Sequence, residues 1–157
     1  MIDRRYWDSA CFLAWFNEEP GRWEVCGSVL QAAEDGKIEL VTSAFTITEV
    51  LQPKGERPLS AEKRTLVQRF FRRPEFVIVN VDRRLAEHAQ RYFWDFNIKP
   101  KDAIHVASAV YAGVPVLETF DEGLIRHSGR LAGNPVLQVR LPESMGGDVQ
   151  ENIFDDL

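Results

Sequence analysis

At 157 residues the chain is long enough for one domain around a single sizeable core. With 45% hydrophobic and 27% charged residues it has the composition of a folded globular protein, and no apolar run reaches the roughly 18 residues that suggest a membrane span. A net charge of −5 excludes a generic basic nucleic-acid binder but not a nuclease whose acidic centre carries cations.

The N-terminal stretch lacks a long apolar region and a small-residue cleavage site, so it is not read as a signal peptide. Arg5 to Asp8 predicts a short first strand, and Asp8 or Ser9 caps a helix running to about Asn17. Pro20-Gly21 breaks the chain. Val25, Val29, Leu30 and Ala33 then recur at helical spacing between Trp23 and Glu34, and Asp35-Gly36 ends that helix. Ile38 to Thr42 predicts a second strand. A short helix opened by Ser43 or Thr46 stops before Pro53, and residues 52–60 form a loop. Ala61 to Arg72 predicts helix, Pro74 ends it, and Phe76 to Val81 predicts a third strand. Asp82 caps a helix to about Asp95. Pro100 occupies a first helical position ahead of Asp102 to Tyr111, which closes at Gly113. Val114 to Leu117 predicts a fourth strand, a short helix follows Asp121, and Val136 to Val139 predicts a fifth strand. Residues 1–142 are thus expected to form the domain, and 143–157 an acidic, flexible tail with a contact at Ile153-Phe154.

Strands alternating with helices predict an α/β domain with a mostly parallel sheet of four or five strands. Right-handed crossovers place the strand C-termini on one edge, where ligands of such sheets bind. Four acids fall at strand–helix seams or near helix starts: Asp8, Glu49, Asp102 and Asp121. Each has a plain structural role of its own. Asp8 and Asp121 suit helix caps, Glu49 suits a capping box with Thr46, and Asp102 complements a helix dipole. Together they suggest carboxylates converging on one edge, an oxygen-only set suited to Mg²⁺ or Mn²⁺ and to hydrolysis of phosphodiesters. Lys54, Lys99 and Lys101 are candidate substrate-binding residues near that edge. His88, His105 and His127 make no zinc pattern, and His105 is expected to be a packed helix histidine. Glycine-rich nucleotide loops and a serine nucleophile elbow are both missing. The tryptophans are expected mainly in the core. Cys11 and Cys26 lack redox or metal spacing and are expected as reduced thiols, which suits the cytoplasm.

The blocks Tyr6-Trp7-Asp8-Ser9, Thr42-Ser43 leading to Thr48-Glu49-Val50-Leu51, Lys101 to Ala109, and Leu117 to Leu124 resemble, in order and spacing, the PIN-domain family, which includes VapC-type toxin ribonucleases. The resemblance covers about residues 5–140. It implies a PIN-like three-layer α/β/α fold and a metal-dependent endoribonuclease, the toxin of a type II toxin–antitoxin pair. It places the family's acidic positions on Asp8, Glu49, Asp102 and Asp121, with Thr119, Ser9 and Glu122 in support. Asp8 and Asp102 would hold the principal Mg²⁺ or Mn²⁺, Glu49 would bind it directly or through water, and Asp121 would complete the site or support a second ion. The implied partners are an RNA substrate, an antitoxin and a second copy of the chain. Phe12, Trp15 and Phe16 are candidates for the partner surface, with core packing as the alternative.

Phe120 stands where the family commonly has a small polar residue, so it is expected to alter how Asp121 is presented. Glu122 is then a substitute, whereas Glu118 is expected at the surface. Two other functions compete. One is a catalytically silent PIN-like module that binds RNA or protein. The other is a receiver-type phosphoacceptor, which lacks its late lysine after Val136 to Val139.

Overall fold

The computed structural model describes residues 2–55, 58–131 and 133–155. In chain order the elements are β1 (Asp3–Trp7), α1 (Ser9–Phe16), α2 (Trp23–Glu34), β2 (Ile38–Ser43), α3 (Ala44–Glu49), α4 (Ala61–Phe70), β3 (Phe76–Val79), α5 (Arg83–Phe96), α6 (Pro100–Tyr111), β4 (Val116–Glu118), α7 (Glu122–Ile125) and β5 (Gln138–Arg140). Local chemistry sets many of the boundaries. Asp8, Ser43, Ser60, Asp82 and Asp121 each accept a backbone N–H in the first turn of the following helix. Asn97, at φ 56°, ends α5 in the left-handed conformation that closes many helices.

The five strands form one all-parallel sheet in the order β3-β2-β1-β4-β5, as the alternation of strands and helices predicted. Tyr6 pairs in register with Val41 of β2 and Leu117 of β4, so β1 is central. The chain steps outward from β1 through β2 to β3, then returns across β1 to build β4 and β5. This reversal opens a crevice at the C-terminal ends of β1 and β4.

Successive strand residues face opposite sides, and that alternation makes the two halves of the core. Trp7 and Leu40 face one layer, where they join Phe12, Trp15, Phe16, Phe70 and Phe76. Tyr6 and Val41 face the other, with Leu85, Tyr92, Val106 and Leu117. The first layer is aromatic. Phe12 meets Trp7 edge-on at 5.0 Å between centroids, and Trp15 stacks on Phe70 at 5.3 Å. Phe12, Trp15 and Phe16 are therefore core residues and do not form the partner surface considered for them.

β4 begins two residues later than expected, because the Gly113 turn and the Val114 N–H bond back to the Ala109 carbonyl still belong to the end of α6. The strand also ends one residue later than expected, at Glu118, which is fully buried in contrast to its expected surface position.

Residues 143–155, expected as a loose tail, run back over α1 and α2. The Trp15 indole donates to the Gln150 carbonyl at 2.8 Å, Asn152 donates to the Phe16 carbonyl at 3.0 Å, and Phe154 meets Phe16. The segment passes so close to α2 that a Cβ on Gly27 would overlap the Val149 side chain and sit 3.1 Å from the Gln150 carbonyl. Gly27→Val is expected to cost about 1–3 kcal/mol in urea unfolding by overpacking this contact. An unchanged midpoint would show that the segment contributes nothing to stability.

Candidate active site at the switch point

Asp8 leaves the end of β1 and enters α1 as its cap. One carboxylate oxygen, Oδ1, accepts from the Ala10 N–H at 3.1 Å, and Oδ2 accepts from the Thr119 hydroxyl at 2.5 Å. The cap and the site are thus the same residue, held from two directions. Thr119, fully buried just past β4, also accepts the Asp121 N–H at 3.1 Å. Thr119 therefore ties Asp8 to the backbone that carries Asp121. Asp121 caps α7 by accepting from the Gly123 N–H at 2.9 Å and remains exposed, as does Glu122.

Asp102 lies half-buried in the first turn of α6, whose cap position, Lys99, makes no side-chain capping bond. Its pKa is pushed up to about 6 by burial, by the charges of Asp121 and Asp8, and by a hydrogen bond shared with Asp121. Burial also raises Asp8. The His105 charge, the Thr119 hydroxyl and the Cys11 and Ala10 N–H groups act against that rise without cancelling it. Asp8, Asp102 and Asp121 are therefore electrostatic neighbours, although 94 residues separate Asp8 from Asp102 and a further 19 separate Asp102 from Asp121.

Glu49 ends α3 and belongs to a second group of side chains. The capping box considered for it does not form, since Ser43 caps α3 through the Phe45 N–H. Glu49 Oε1 instead accepts from Ser9 and lies 2.9 Å from His105 Nε2, while Oε2 meets Lys101 at 3.5 Å. Burial acts to raise Glu49, but the bonds from His105 and Ser9 and the charges of His105 and Lys101 outweigh it and leave the carboxyl below its ordinary value.

Of the candidate lysines, Lys101 reaches this edge. Lys99 is exposed at the start of α6, one turn from Asp102. Lys54 does not lie here. Its backbone bonds the Asn17 side chain at the far end of α1, about 12 Å along the helix from Asp8. Phe120 turns away from the edge and packs against the aromatic layer, with the Arg22 guanidinium 4.5 Å from its ring centre. Phe120, in the bend after β4, is thus directed into the aromatic layer while Asp121 caps α7. His105 is buried as expected, but both of its ring nitrogens are also engaged. The Asp102–His105 spacing of three, which places two residues on one helix face, was the sequence signal for this.

The donor set suits a hard divalent cation: the acids offer only oxygen, and a cation between them would relieve the crowding that raises Asp102. Among the described residues, no three His, Cys, Asp or Glu side chains already stand grouped to enclose an ion. Such an ion would therefore keep several waters, as Mg²⁺ commonly does.

The Asp102 shift gives a signed expectation. Its folded value of about 6 exceeds the unfolded value of 3.8, so its favourable contribution is complete below 3.8 and is lost as pH rises through 6. Metal-free protein should lose stability between about pH 4 and 6.5 from this group, and saturating Mn²⁺ at pH 7.5 should restore it. Thermal melts with and without Mn²⁺ across this range provide the check, and superimposable curves would refute the expectation.

The model of the PIN domain family matches residues 5–129. Among curated protein sequences none matches the chain. Several solved structures share the fold. One is the Mycobacterium tuberculosis toxin VapC20, described as cleaving the sarcin–ricin loop, with TM-score 0.59, 15% identity, and coverage of 76% of this chain and 92% of that one. Another is a chain of the FitAB complex bound to an IR36 DNA fragment, with TM-score 0.58, 19% identity, and coverage of 91% and 98%. A third comes from a toxin–antitoxin complex of Klebsiella pneumoniae, with TM-score 0.51, 24% identity, and coverage of 74% and 86%. The family match spans β1 through the end of α7 and includes all four acids of the parallel-sheet edge, and on that ground the chain belongs to the PIN-domain family.

Proposed function

We propose that this protein is a Mg²⁺- or Mn²⁺-dependent endoribonuclease and the toxin of a type II toxin–antitoxin pair. The observation that carries the proposal is the Asp102 carboxyl, raised to about 6 beside Asp8 and Asp121 at the switch point of a parallel sheet. Crowded like charges without a cation are costly, and perturbed carboxyls in a crevice mark functional sites. A bound divalent ion supplies hydroxide at neutral pH and offsets charge on the phosphate. In this reading Asp8 and Asp102 hold it, Asp121 completes the set, and Glu49 contributes directly or through water. Thr119 orients Asp8, and Ser9 orients Glu49. Glu122 stands in support beside Asp121. Lys99 and Lys101 offer charge to the RNA backbone.

The antitoxin proposal rests on the fold's company. The Klebsiella structure is a toxin–antitoxin complex, and a fourth structure of the same fold is VapBC2 from Rickettsia felis bound to promoter DNA. A groove of about 430 Å³ between α3 and α4, lined by Ile47, Leu51, Val67 and Phe71 with Arg64 and Arg72, suits an acidic amphipathic segment. Ile47 and Leu51 are exposed there and replace the buried aromatics of α1 as the partner surface. A second copy of the chain remains part of the proposal, with exposed Phe93 and Trp94 on α5 as its apolar contact. Both cysteines are free and buried, consistent with a reducing cytoplasm. No helix among the described residues is long and apolar enough to cross a membrane.

A second reading, a silent RNA- or protein-binding module, is favoured by the Lys101–Glu49 ion pair, which gives one of the acids a counter-ion from the chain itself. Cleavage of a panel of structured and single-stranded RNAs with Mn²⁺, Mg²⁺ or EDTA separates the two. Cutting that EDTA stops supports the nuclease, and RNA binding without cutting supports the module.

A further inference from the structure

The side chains that hold Glu49 form a chain across three elements. The His105 ring is buried beneath the start of α1, with Nδ1 2.7 Å from the Tyr6 hydroxyl and Nε2 2.9 Å from Glu49 Oε1. Ser9 Oγ, 3.2 Å from the same Nε2, donates to the same carboxylate oxygen. An ionised carboxylate only accepts, so the ring nitrogen facing it must carry a proton. Nδ1 meets the Tyr6 hydroxyl, which can donate or accept, so the ring is held at both nitrogens.

We infer that His105 is a positioning residue: held at Nδ1 by the Tyr6 hydroxyl, it clamps Glu49 by Oε1 and leaves only Oε2 to serve the acidic edge. The inference rests on the proposed metal-dependent site and adds to it how one of the acids is aimed. An unrestrained glutamate spreads over many rotamers, and the clamp removes that freedom before any ligand arrives. Oε2 lies 3.5 Å from the ammonium of Lys101, itself 71% exposed, so this oxygen faces the open side of the site. The clamp also explains a burial that sequence reasoning assigned to packing alone. Any buried ring must satisfy both nitrogens, and what is particular here is that one partner is an acid of the sheet edge.

Two measurements test this without relying on RNA cleavage. The first is ring ¹⁵N NMR of the metal-free wild type at neutral pH. It should show a proton on His105 Nε2 hydrogen-bonded to Glu49, and Glu49→Gln should shift that resonance. A ring whose Nε2 is bare in the wild type overturns the inference. The second is Mn²⁺ affinity by electron paramagnetic resonance on folded variants. His105→Leu should weaken binding about 10- to 100-fold, as loss of an outer-shell partner commonly does. His105→Gln, whose amide can donate at the same place, should recover most of that loss. Equal affinities in the Leu and Gln variants overturn the inference, since packing alone would then account for His105. Asp102→Asn is the control for the underlying site. If it leaves Mn²⁺ affinity unchanged, the metal-site reading fails. If it weakens binding while His105→Leu does not, only the positioning role fails.

Discussion

Asp102→Asn is expected to lower metal-dependent RNA cleavage by about 100- to 1,000-fold, or about 3–4 kcal/mol of transition-state stabilisation, while making the metal-free protein no less stable. The two halves of this result come from the same geometry. Asp102 makes no capping bond at the start of α6, so an amide costs the helix little. At neutral pH its charge opposes burial and the charges of Asp121 and Asp8, so removing it relieves repulsion. A residue kept for stability would behave in the opposite way. Asp8→Asn should lower cleavage to a similar extent, but with some loss of stability, because Asp8 also caps α1 and accepts from Thr119. Initial rates in Mn²⁺, paired with urea unfolding in EDTA, check both variants. Wild-type cleavage by a folded Asp102→Asn protein would remove this residue from the catalytic set.

The second large effect is structural. Glu118→Ala should destabilise the fold by about 3–5 kcal/mol, the usual cost of leaving a buried charge without its partner. Glu118 is fully buried, and its carboxylate serves four donors. The Trp7 indole approaches at 2.9 Å, Arg5 at 3.2 Å, Arg140 at 3.3 Å and the Glu143 N–H at 3.0 Å. Without it Arg5, nearly buried itself, loses its buried counter-ion, and the indole loses an acceptor at the centre of the aromatic layer. The same carboxylate joins β1, β4, β5 and the start of residues 143–155, so the loss should spread beyond the local contact. For a chain of this length the melting temperature should fall by about 10 °C or more. Thermal unfolding followed by near-ultraviolet circular dichroism, which senses Trp7, reads this out. A shift of only a degree or two would mean that water replaces the network without cost.

Much of the fold was legible in the chain because its signals are local. Asp8, Asp82 and Asp121 precede helices they do cap, Pro100 opens α6, and the α2 boundaries follow from helical spacing and Asp35-Gly36. The parallel sheet follows from strand–helix alternation and the handedness of crossovers. Where expectations missed, the deciding contacts were distant in sequence. Glu118 was placed at the surface because nothing near it announces Arg5, Trp7 and Arg140 as partners. Lys54 was placed near the acids because its loop follows Glu49, yet its backbone is held by Asn17. Phe12, Trp15 and Phe16 have the pattern of an apolar helix face, and only α4 and β3 packing over them show which side is covered.

Among the acids the same division holds. Residue types and their positions at strand–helix seams named Asp8, Glu49, Asp102 and Asp121 as candidates, since oxygen donors at one sheet edge suit one kind of chemistry. That choice needed only order and spacing. The sequence could not show that Asp121 and Asp8 act on the Asp102 carboxyl while Glu49 is held by Ser9, His105 and Lys101. Pairwise electrostatics fall with distance through a partly buried medium, and hydrogen bonds require contact to within tenths of an ångström. Those distances exist only once β1, β4 and the start of α6 have been brought to the same crevice.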